Sequence, residues 1–511
     1  MTNDTDLSHS AATMAAMKEG TLLAAVDLGS NSFRLEIGRY EHGQIHRIDQ
    51  LKETVRLGGG LDDERHLTED AMQRGWDCLA RFSERLQGFK PRQVRAVATQ
   101  TLREARNRDA FLHRGCERLG FPIEVIAGTE EARLIYQGVA QMLPQSQERR
   151  LVVDIGGRST ELILGQDRTA HETHSFRLGS VSWSMKYFPQ GRLTEQALQR
   201  AEIAAQAVLE EALTLYPRTQ WDVAYGASGT VSAVAEILAQ AGWPEGVIEL
   251  EGVRWLRKCL LRAGHVHAVH LEGLKEDRRA VIGGGVSVLH ALMGLLRIDT
   301  LHVAEGALRQ GVLFEMVERA DHSRDTRDTS VNRLAIKLGV DLAQAERVQR
   351  QALRFLRQTQ AAHDDDELAR MLGWACQLHE VGMAISHSDY HKHGAYILDN
   401  ADMLGFGMPE LHQMGLLVLG HKGKLRKLEA ALDDMGLAQM LMALRLAVIV
   451  CHARQEPDTD ALHLTLSPED RCFTLHLSRA WREAHPQSSH LLQVETQVWE
   501  RSPWQLALHL I

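Results

Sequence analysis

Two segments of this 511-residue chain repeat one pattern, and the repeat restricts the possible folds more than any other feature of the sequence. They are DLGSNSFRLEIG at 27–38 and DIGGRSTELILG at 154–165. Each joins an apolar strand that ends in aspartate, a turn of small residues and a second β-prone run. Helix-like stretches follow both segments, near 68–88 and 193–215. Strands that alternate with helices predict an α/β layer fold, built twice in succession.

The rest of the chain differs in composition from these two halves. A chain of 511 residues is too long for one core. The charged segment ERADHSRDTRDTS at 318–330 predicts a linker, and the region beyond it has the three- and four-residue apolar spacing of helices. Alternating runs near the end predict a small β-containing module. We expect these divisions: a mobile tail at 1–20, one lobe at 21–135, a second lobe at 136–320, a helical domain at 321–455 and a small α+β module at 456–511.

Charge and composition exclude several classes of protein. With 58 basic and 67 acidic residues the net charge is −9, which argues against a nucleic-acid-binding surface. No segment reaches 18 uninterrupted apolar residues, so we expect no membrane span. The cysteines have no CxxC spacing, which favours a reducing, cytoplasmic setting over a zinc or disulfide framework. They are Cys78, Cys116, Cys259, Cys376, Cys451 and Cys472.

The two repeated turns have the residues of phosphate-binding loops. Backbone N–H and hydroxyl groups of small residues can hold an anion, and a strand-terminal aspartate can hold a divalent cation. An ordinary hairpin turn is the alternative for either loop alone, but two copies at matching positions favour a phosphate clamp. The candidate phosphate ligands are Gly29, Ser30, Asn31 and Ser32 in the first loop and Gly156, Gly157, Ser159 and Thr160 in the second; the candidate metal ligands are Asp27, Asp154 and Glu161.

A catalytic base should lie near these loops. The segment 123–140 predicts a strand, a glycine turn and a helix with Thr129 as N-cap and Glu130 and Glu131 in its first turn. The helix dipole favours an ionised carboxylate there, as a proton acceptor requires, although both glutamates could equally serve only to stabilise the helix. Arg103 could bind phosphate oxygens or form a surface ion pair. Gly229, in the turn GASGT at 226–230, is a weaker candidate for phosphate contact.

Six segments together resemble one known family. In order they are DLGSNSFRL, ATQTLREA, GTEEARLIYQGVA, DIGGRSTELILG, GASGT and EGALRQGVLFEM. This set is similar to the exopolyphosphatase and guanosine pentaphosphate phosphohydrolase family of the actin and sugar-kinase superfold, over about residues 21–455. The resemblance implies two ribonuclease-H-like (actin-like ATPase) lobes with the site between them, followed by a helical domain related to HD phosphohydrolases. It implies that Glu131 is the catalytic base, that Asp154 and Glu161 lie beside a Mg²⁺ or Mn²⁺ ion, and that Arg103 contacts the substrate phosphates.

Two departures from the family pattern stand out. Arg158 occupies a place where the family has glycine or another small residue; a positive φ there would cost energy, which pairing with a phosphate oxygen or with Glu161 could offset. Glu380, in LHEVG at 378–382, stands where HD enzymes carry a metal-binding aspartate, so we expect no working HD metal site. Four histidines nearby are expected to be core or surface residues in preference to phosphate ligands: His379, His391, His393 and His421.

The sequence favours magnesium-dependent, processive removal of terminal orthophosphate from inorganic polyphosphate. The alternative keeps the chemistry and changes the substrate to guanosine pentaphosphate (pppGpp), with loss of its 5′-terminal phosphate. A non-catalytic sensor and a kinase are further possibilities on this superfold. We expect a homodimer, since a second copy would lengthen the path available to a long polyanion.

Overall fold

The computed structural model describes residues 17–320, 325–360 and 366–511. The predicted mobile tail at 1–20 lies outside the described residues except for its last four positions. The chain divides into two compact units, Met1–Asp325 and Thr326–Ile511. The division falls within the charged segment predicted as a linker, of which residues 321–324 are outside the described part and Thr326 already begins a helix.

The first half of the first unit is a five-stranded sheet with helices. Its strands are β1 (Leu22–Leu28), β2 (Phe33–Glu41), β3 (Gln44–Glu53), β4 (Val94–Ala98) and β5 (Ile123–Val125), in the order β3-β2-β1-β4-β5. Strands β1 to β3 are antiparallel neighbours, and β4 and β5 continue the sheet parallel to β1. The helices are α1 (Glu69–Arg85), α2 (Gln100–Glu104), α3 (Arg108–Leu119) and α4 (Gly128–Met142).

The second half repeats this arrangement. Its strands are β6 (Arg149–Ile155), β7 (Thr160–Gln166), β8 (Thr169–Phe176), β9 (Val223–Ala227), β10 (Val247–Glu249) and β11 (Thr300–Val303), in the order β10-β11-β9-β6-β7-β8. The helices are α5 (Ser180–Tyr187), α6 (Glu195–Val208), α7 (Ala212–Leu215), α8 (Ser228–Gln240), α9 (Leu250–Ala263), α10 (Glu276–Arg279), α11 (Ile282–Leu296) and α12 (Leu308–Ala320). Strands β6 to β9 pair as β1 to β4 do, so the duplication predicted from the two turns is confirmed.

Helices α4 and α12 join the two halves. Their apolar residues form one buried cluster with side chains from both sheets, including Ala25 of β1 and Val152 of β6. Gly138 and Gly311 let the helices pack backbone to backbone, because a Cβ on either would overlap a carbonyl oxygen of the other helix. This close pairing fixes the start of α4, which carries Glu131, relative to the start of α12.

The second unit is mainly helical. It contains α13 (Thr326–Lys337), α14 (Leu342–Thr359), α15 (Asp366–Leu378), α16 (Tyr390–Asn400), α17 (Met408–Gly420), α18 (Met435–Val450), β12 (Leu462–Ser467), β13 (Cys472–Leu477), α19 (Arg479–Ala484), α20 (Pro486–Trp499) and β14 (Gln505–Leu510). The strands predicted near the end are present, but Leu464, Phe473 and Trp499 belong to the same hydrophobic core as the helices. The expected separate terminal module is therefore part of one unit. None of the helices in the described ranges is long and apolar enough to span a membrane.

Candidate active site

The repeat places two aspartates at matching positions in the two sheets. Asp27 is the next-to-last residue of β1 and lies opposite Arg34 of β2. Asp154 holds the same place in β6 and lies opposite Glu161 of β7. Both face a cavity of about 110 Å³. The cavity is lined by Asp27, Gly29, Ser30, Asn31, Ser32, Arg34, Thr99, Glu131, Ile135, Asp154, Ile155, Gly156, Gly157, Ser159, Ser228, Gly229, Thr230, Arg278, Ala307, Leu308 and Arg309. Most of the predicted site residues are therefore brought together.

The two predicted phosphate loops lie against each other. A Cβ on Gly157 would come within 2.9 Å of the Ser30 Cβ and 3.5 Å of the Asn31 nitrogen. Among the described residues, the backbone N–H groups of Ser30, Asn31, Gly157 and Arg158 donate to no protein acceptor. Free N–H groups on two facing turns are a suitable cradle for a phosphate chain.

Glu131 lies in the first turn of α4 and points at this cavity. The helix begins at Gly128, with Ala127 as N-cap, so the prediction of Thr129 as the cap is wrong by two residues. The Glu131 side chain is 9% exposed, and its Oε2 lies 2.7 Å from Nη1 of Arg103. Burial raises the pKa of Glu131, and the Arg103 guanidinium opposes that rise. A buried carboxylate of raised basicity, held by an arginine, is a suitable proton acceptor.

The neighbouring carboxylates disfavour one another's ionised forms. Burial, followed by the charges of Glu131 and Asp27, raises the pKa of Asp154 to about 7. Burial also raises the pKa of Asp27 and, well above its usual range, that of Glu161. A cation would stabilise all of these charges together, and oxygen ligands are what Mg²⁺ prefers.

The carboxylates do not form a complete ligand set by themselves. Within the described ranges no three acidic, histidine or cysteine side chains converge as a metal cage. Mg²⁺ usually takes one or two carboxylates together with water and substrate phosphate oxygens. Asp27 and Asp154, which line the cavity, fit this mode of binding. Glu161, opposite Asp154 on the next strand, is buried, accepts a hydrogen bond from Ser175 and does not line the cavity.

Two predicted side chains have other partners. Thr160 is fully buried and donates to the Leu178 carbonyl oxygen, so it is not a phosphate ligand. Arg103 lies behind Glu131, outside the cavity lining, and donates to Gln100 and to the Ile126 carbonyl oxygen. The resemblance implies that it contacts the substrate phosphates, whereas in the structure its guanidinium contacts Glu131.

Arg158 also differs from the expectation. Its φ is not positive, so the loop carries no backbone strain at this position. Its guanidinium pairs with Glu104, at 2.9 Å, and donates to the Gly58 carbonyl oxygen. Arg158 does not contact Glu161 and does not line the cavity. The loop therefore keeps its shape without a glycine at this position.

Sequence reasoning missed the arginines of the cavity. Arg34 and Arg309 line it, and Arg309 Nη1 lies 3.8 Å from Asp27 while its Nε donates to Glu36 at 3.0 Å. Arg278 reaches Gly229, where any Cβ would overlap its guanidinium. Arg34 and Arg309 lie inside the family segments DLGSNSFRL and EGALRQGVLFEM, so their positions in those segments were a signal that could have identified them. Arg278 lies outside those segments and has no comparable signal.

A second, larger cavity adjoins the first. It measures about 680 Å³ and adjoins the cavity at the two predicted phosphate loops (the phosphate cavity), with which it shares Arg34, Ser228, Gly229, Arg278, Ala307 and Arg309. Its further lining residues are Gln50, Lys52, Ser232, Ala233, Glu236, Gly273, Leu274, Lys275, Ala304, Glu305 and Gly306. The volume is suitable for a small organic ligand with polar groups.

Two actin-like α/β lobes here enclose two facing loops of small residues, a carboxylate cluster and a buried glutamate, an arrangement suited to phosphate chemistry. The model of the Ppx/GppA phosphatase family matches residues 37–320, and that of Ppx/GppA phosphatase, domain III, matches residues 326–496. The chain belongs to the Ppx/GppA phosphatase family of phosphoanhydride hydrolases.

Individual relatives agree with this placement. One from Vibrio cholerae serotype O1 is 36% identical over 499 residues, which cover 97% of this chain and 99% of the relative. One from Vibrio vulnificus (strain YJ016) is 36% identical over 502 residues, 97% of this chain and 99% of the relative. Both are named guanosine-5′-triphosphate,3′-diphosphate pyrophosphatase. The crystal structure of an exopolyphosphatase from Cytophaga hutchinsonii is 25% identical, with a TM-score of 0.53, and covers 58% of this chain and 98% of its own.

Proposed function

We propose that this chain hydrolyses the terminal 5′ phosphoanhydride bond of pppGpp, releasing orthophosphate and ppGpp. The observation that carries the proposal is the 680 Å³ cavity that opens from the phosphate cradle. A bare polyphosphate needs only a narrow basic path, whereas a guanosine 3′-diphosphate needs a chamber of this size. The names of the Vibrio relatives support the same substrate. The sequence alone favoured polyphosphate, and the larger cavity is the reason for preferring the nucleotide.

The charges of the larger cavity suit both ends of such a ligand. Lys275 and Arg278 supply cations for a 3′-diphosphate, and Lys52, which pairs with Asp277 at 2.8 Å, lines the same cavity. Glu236 and Glu305 supply carboxylates that can accept hydrogen bonds from the N–H groups of a guanine edge. A channel that binds only polyphosphate would be lined by basic residues, and two glutamates in its wall would repel the substrate.

In the proposed reaction a water oxygen attacks the terminal phosphorus, and the bond from that phosphorus to the bridging oxygen breaks. Glu131 accepts the proton from the attacking water. The loop N–H groups and Arg309 bind the phosphate oxygens, and the bridging oxygen leaves as part of the 5′-diphosphate of ppGpp. A Mg²⁺ ion held by Asp27 or Asp154 would neutralise charge that develops on the phosphate oxygens.

Inorganic polyphosphate is the second candidate substrate. The likeness to the Cytophaga hutchinsonii exopolyphosphatase favours it, and its terminal phosphate would meet the same loops and the same base. The two candidates differ in what occupies the larger cavity and not in the chemistry.

Substituting Ala233 by tryptophan should separate the two substrates. Ala233 lines only the larger cavity, on helix α8. We expect Ala233→Trp to lower kcat/KM for pppGpp at least about tenfold, because the indole occupies the space of the nucleoside, and to leave tripolyphosphate hydrolysis nearly unchanged. Ala207→Trp, the same change at an exposed position of helix α6 that lines neither cavity, is the control. Phosphate release and the ppGpp product are measured for both substrates.

Two results would contradict the proposal. One is an equal loss on both substrates with Ala233→Trp. The other is a wild-type kcat/KM for tripolyphosphate above that for pppGpp.

A further inference from the structure

The side chain of Arg158 leaves the second phosphate loop and reaches the first lobe. Its Nε and Nη2 donate to Oε2 of Glu104 at 3.1 and 2.9 Å, and its Nη1 donates to the Gly58 carbonyl oxygen at 3.0 Å. Both side chains are largely buried, with 17% of Arg158 and 15% of Glu104 exposed. A loop of one lobe is thereby fixed to the other lobe by three donors of one guanidinium, two on Glu104 of helix α2 and one on the Gly58 carbonyl oxygen.

Glu104 in turn holds a second side chain. Its Oε1 accepts a 2.7 Å hydrogen bond from Nε2 of Gln100, one helical turn earlier. The Gln100 side chain is buried, and its Oε1 accepts from Nη2 and Nε of Arg103 at 2.7 and 3.1 Å. Both the NH₂ group and the oxygen of the Gln100 amide therefore have partners, and these partners fix the orientation of the amide.

Arg103 completes the connection to the base. Its remaining terminal nitrogen, Nη1, donates to the Ile126 carbonyl oxygen at 2.8 Å and lies 2.7 Å from Oε2 of Glu131. An unbroken series of polar contacts thus runs from Arg158 through Glu104, Gln100 and Arg103 to the carboxylate that faces the phosphate loops. Neither Arg158 nor Glu104 lines the phosphate cavity itself.

We propose that Arg158 and Glu104 are positioning residues which, by fixing Gln100, hold the Arg103 guanidinium against Glu131; this inference rests on the function proposed above. If Glu104 is lost, the Gln100 amide can rotate and present its NH₂ group to Arg103, which then has no acceptor on that side. Arg103 would move, and Glu131 would lose the contact that aims it. A small displacement of a reacting group is enough to lower turnover, because its alignment with the attacking water is lost.

The test is a double-mutant cycle on the full chain with pppGpp. Arg158→Met and Glu104→Leu should each lower kcat about tenfold while KM changes less than about twofold, since the affected group acts on the base and not on the substrate. The double variant should be no worse than the poorer single one, because the two residues act through one contact. Glu104→Gln has one acceptor oxygen where glutamate has two, so it can serve Gln100 or Arg158 but not both, and it should recover turnover only in part.

Arg257→Met is the matched control. Arg257 pairs with Glu202 at 2.6 Å with similar exposure, 15% and 13%, and neither residue lines the phosphate cavity. The Arg257→Met variant should have a lower melting temperature than the wild type and an unchanged kcat. An unchanged kcat in Arg158→Met and Glu104→Leu, an effect on KM alone, or additive losses in the double variant would overturn the inference.

A crystal structure of Glu104→Leu gives a readout that needs no substrate. The inference requires the Arg103 guanidinium to have moved away from Glu131; an Arg103 still in contact with Glu131 would contradict it. Failure of the proposed function gives a different result, namely a wild-type chain that releases no phosphate from pppGpp, whatever the position of Arg103 in the variant.

Discussion

At the scale of single residues, Gly157 determines how closely the two phosphate loops approach. Its Cα faces Ser30 and the backbone of Asn31, with no room for a methyl group. Its φ is not positive, so the need for glycine here comes from contact and not from backbone conformation. A substitution of Gly157 therefore tests the distance between the two loops and not the conformational freedom of the backbone.

Substituting Gly157 by alanine should push the loops apart and misplace the phosphate. We expect kcat/KM for pppGpp to fall about ten- to a hundredfold, with a smaller effect on thermal stability. Gly59→Ala is the control, since that exposed glycine has nothing within 4 Å of its Cβ position and no positive φ. Equal activity of the two alanine variants would show that the loops need not touch.

Residue-scale prediction from sequence worked where the repeat supplied two copies. Asp27 and Asp154 could be placed at one site because each ends the first strand of its sheet. Thr160 was misassigned because it is already the first residue of β7, where alternation turns its hydroxyl towards Leu178. The partners of Arg103 and Arg158 depend on contacts between distant segments, which no local pattern encodes.

At the scale of elements, two buried histidines meet edge to face at the ends of helices in the second unit. His379 follows α15 and His421 follows α17, with ring centroids 5.4 Å apart. His421 Nδ1 lies 2.6 Å from the Val418 carbonyl oxygen and so carries the proton, and Nε2 lies 3.3 Å from the Tyr390 hydroxyl. They are core residues, as the sequence favoured, and are not phosphate ligands.

These histidines should make the second unit sensitive to acid. Burial, together with the charge of His379 and Arg445, lowers the pKa of His421 well below its usual range, and burial lowers that of His379. The unfolded chain binds protons first, so stability is full above about pH 6.5 and falls below it, by at most about 1.4 kcal/mol per pH unit for each histidine. We expect hydrogen exchange of α17 peptides to show less protection at pH 5.5 than at pH 7.5.

Substituting His421 by glutamine removes one of the two titrating groups. The loss of α17 protection between pH 7.5 and 5.5 should be smaller than in the wild type. His412→Gln, at a 64% exposed side chain of the same helix, should leave the wild-type loss unchanged. An identical loss in His421→Gln and wild type would mean that His421 takes up its proton without opposing the fold.

At the scale of the whole molecule, the candidate site lies entirely within the first unit. Every lining residue of both cavities precedes Asp325, and the two units have separate hydrophobic cores. The two-lobe architecture followed directly from the duplicated strand-turn-strand pattern. The terminal strands were predicted as a separate module because periodicity reports local structure, whereas sharing a core with distant helices is a tertiary property.

The measurement that tests the account most directly is the turnover of Glu131→Gln with pppGpp. Glutamine keeps the size of the side chain and loses the proton acceptor, so kcat should fall by about 10² to 10⁴ with pppGpp binding, measured by calorimetry, largely kept. Asp109→Asn changes an equally placed carboxylate in the first turn of α3, with 92% of its side chain exposed, and should leave kcat unchanged. A Glu131→Gln chain that releases phosphate from pppGpp at nearly the wild-type rate would remove Glu131 from the mechanism and contradict the account.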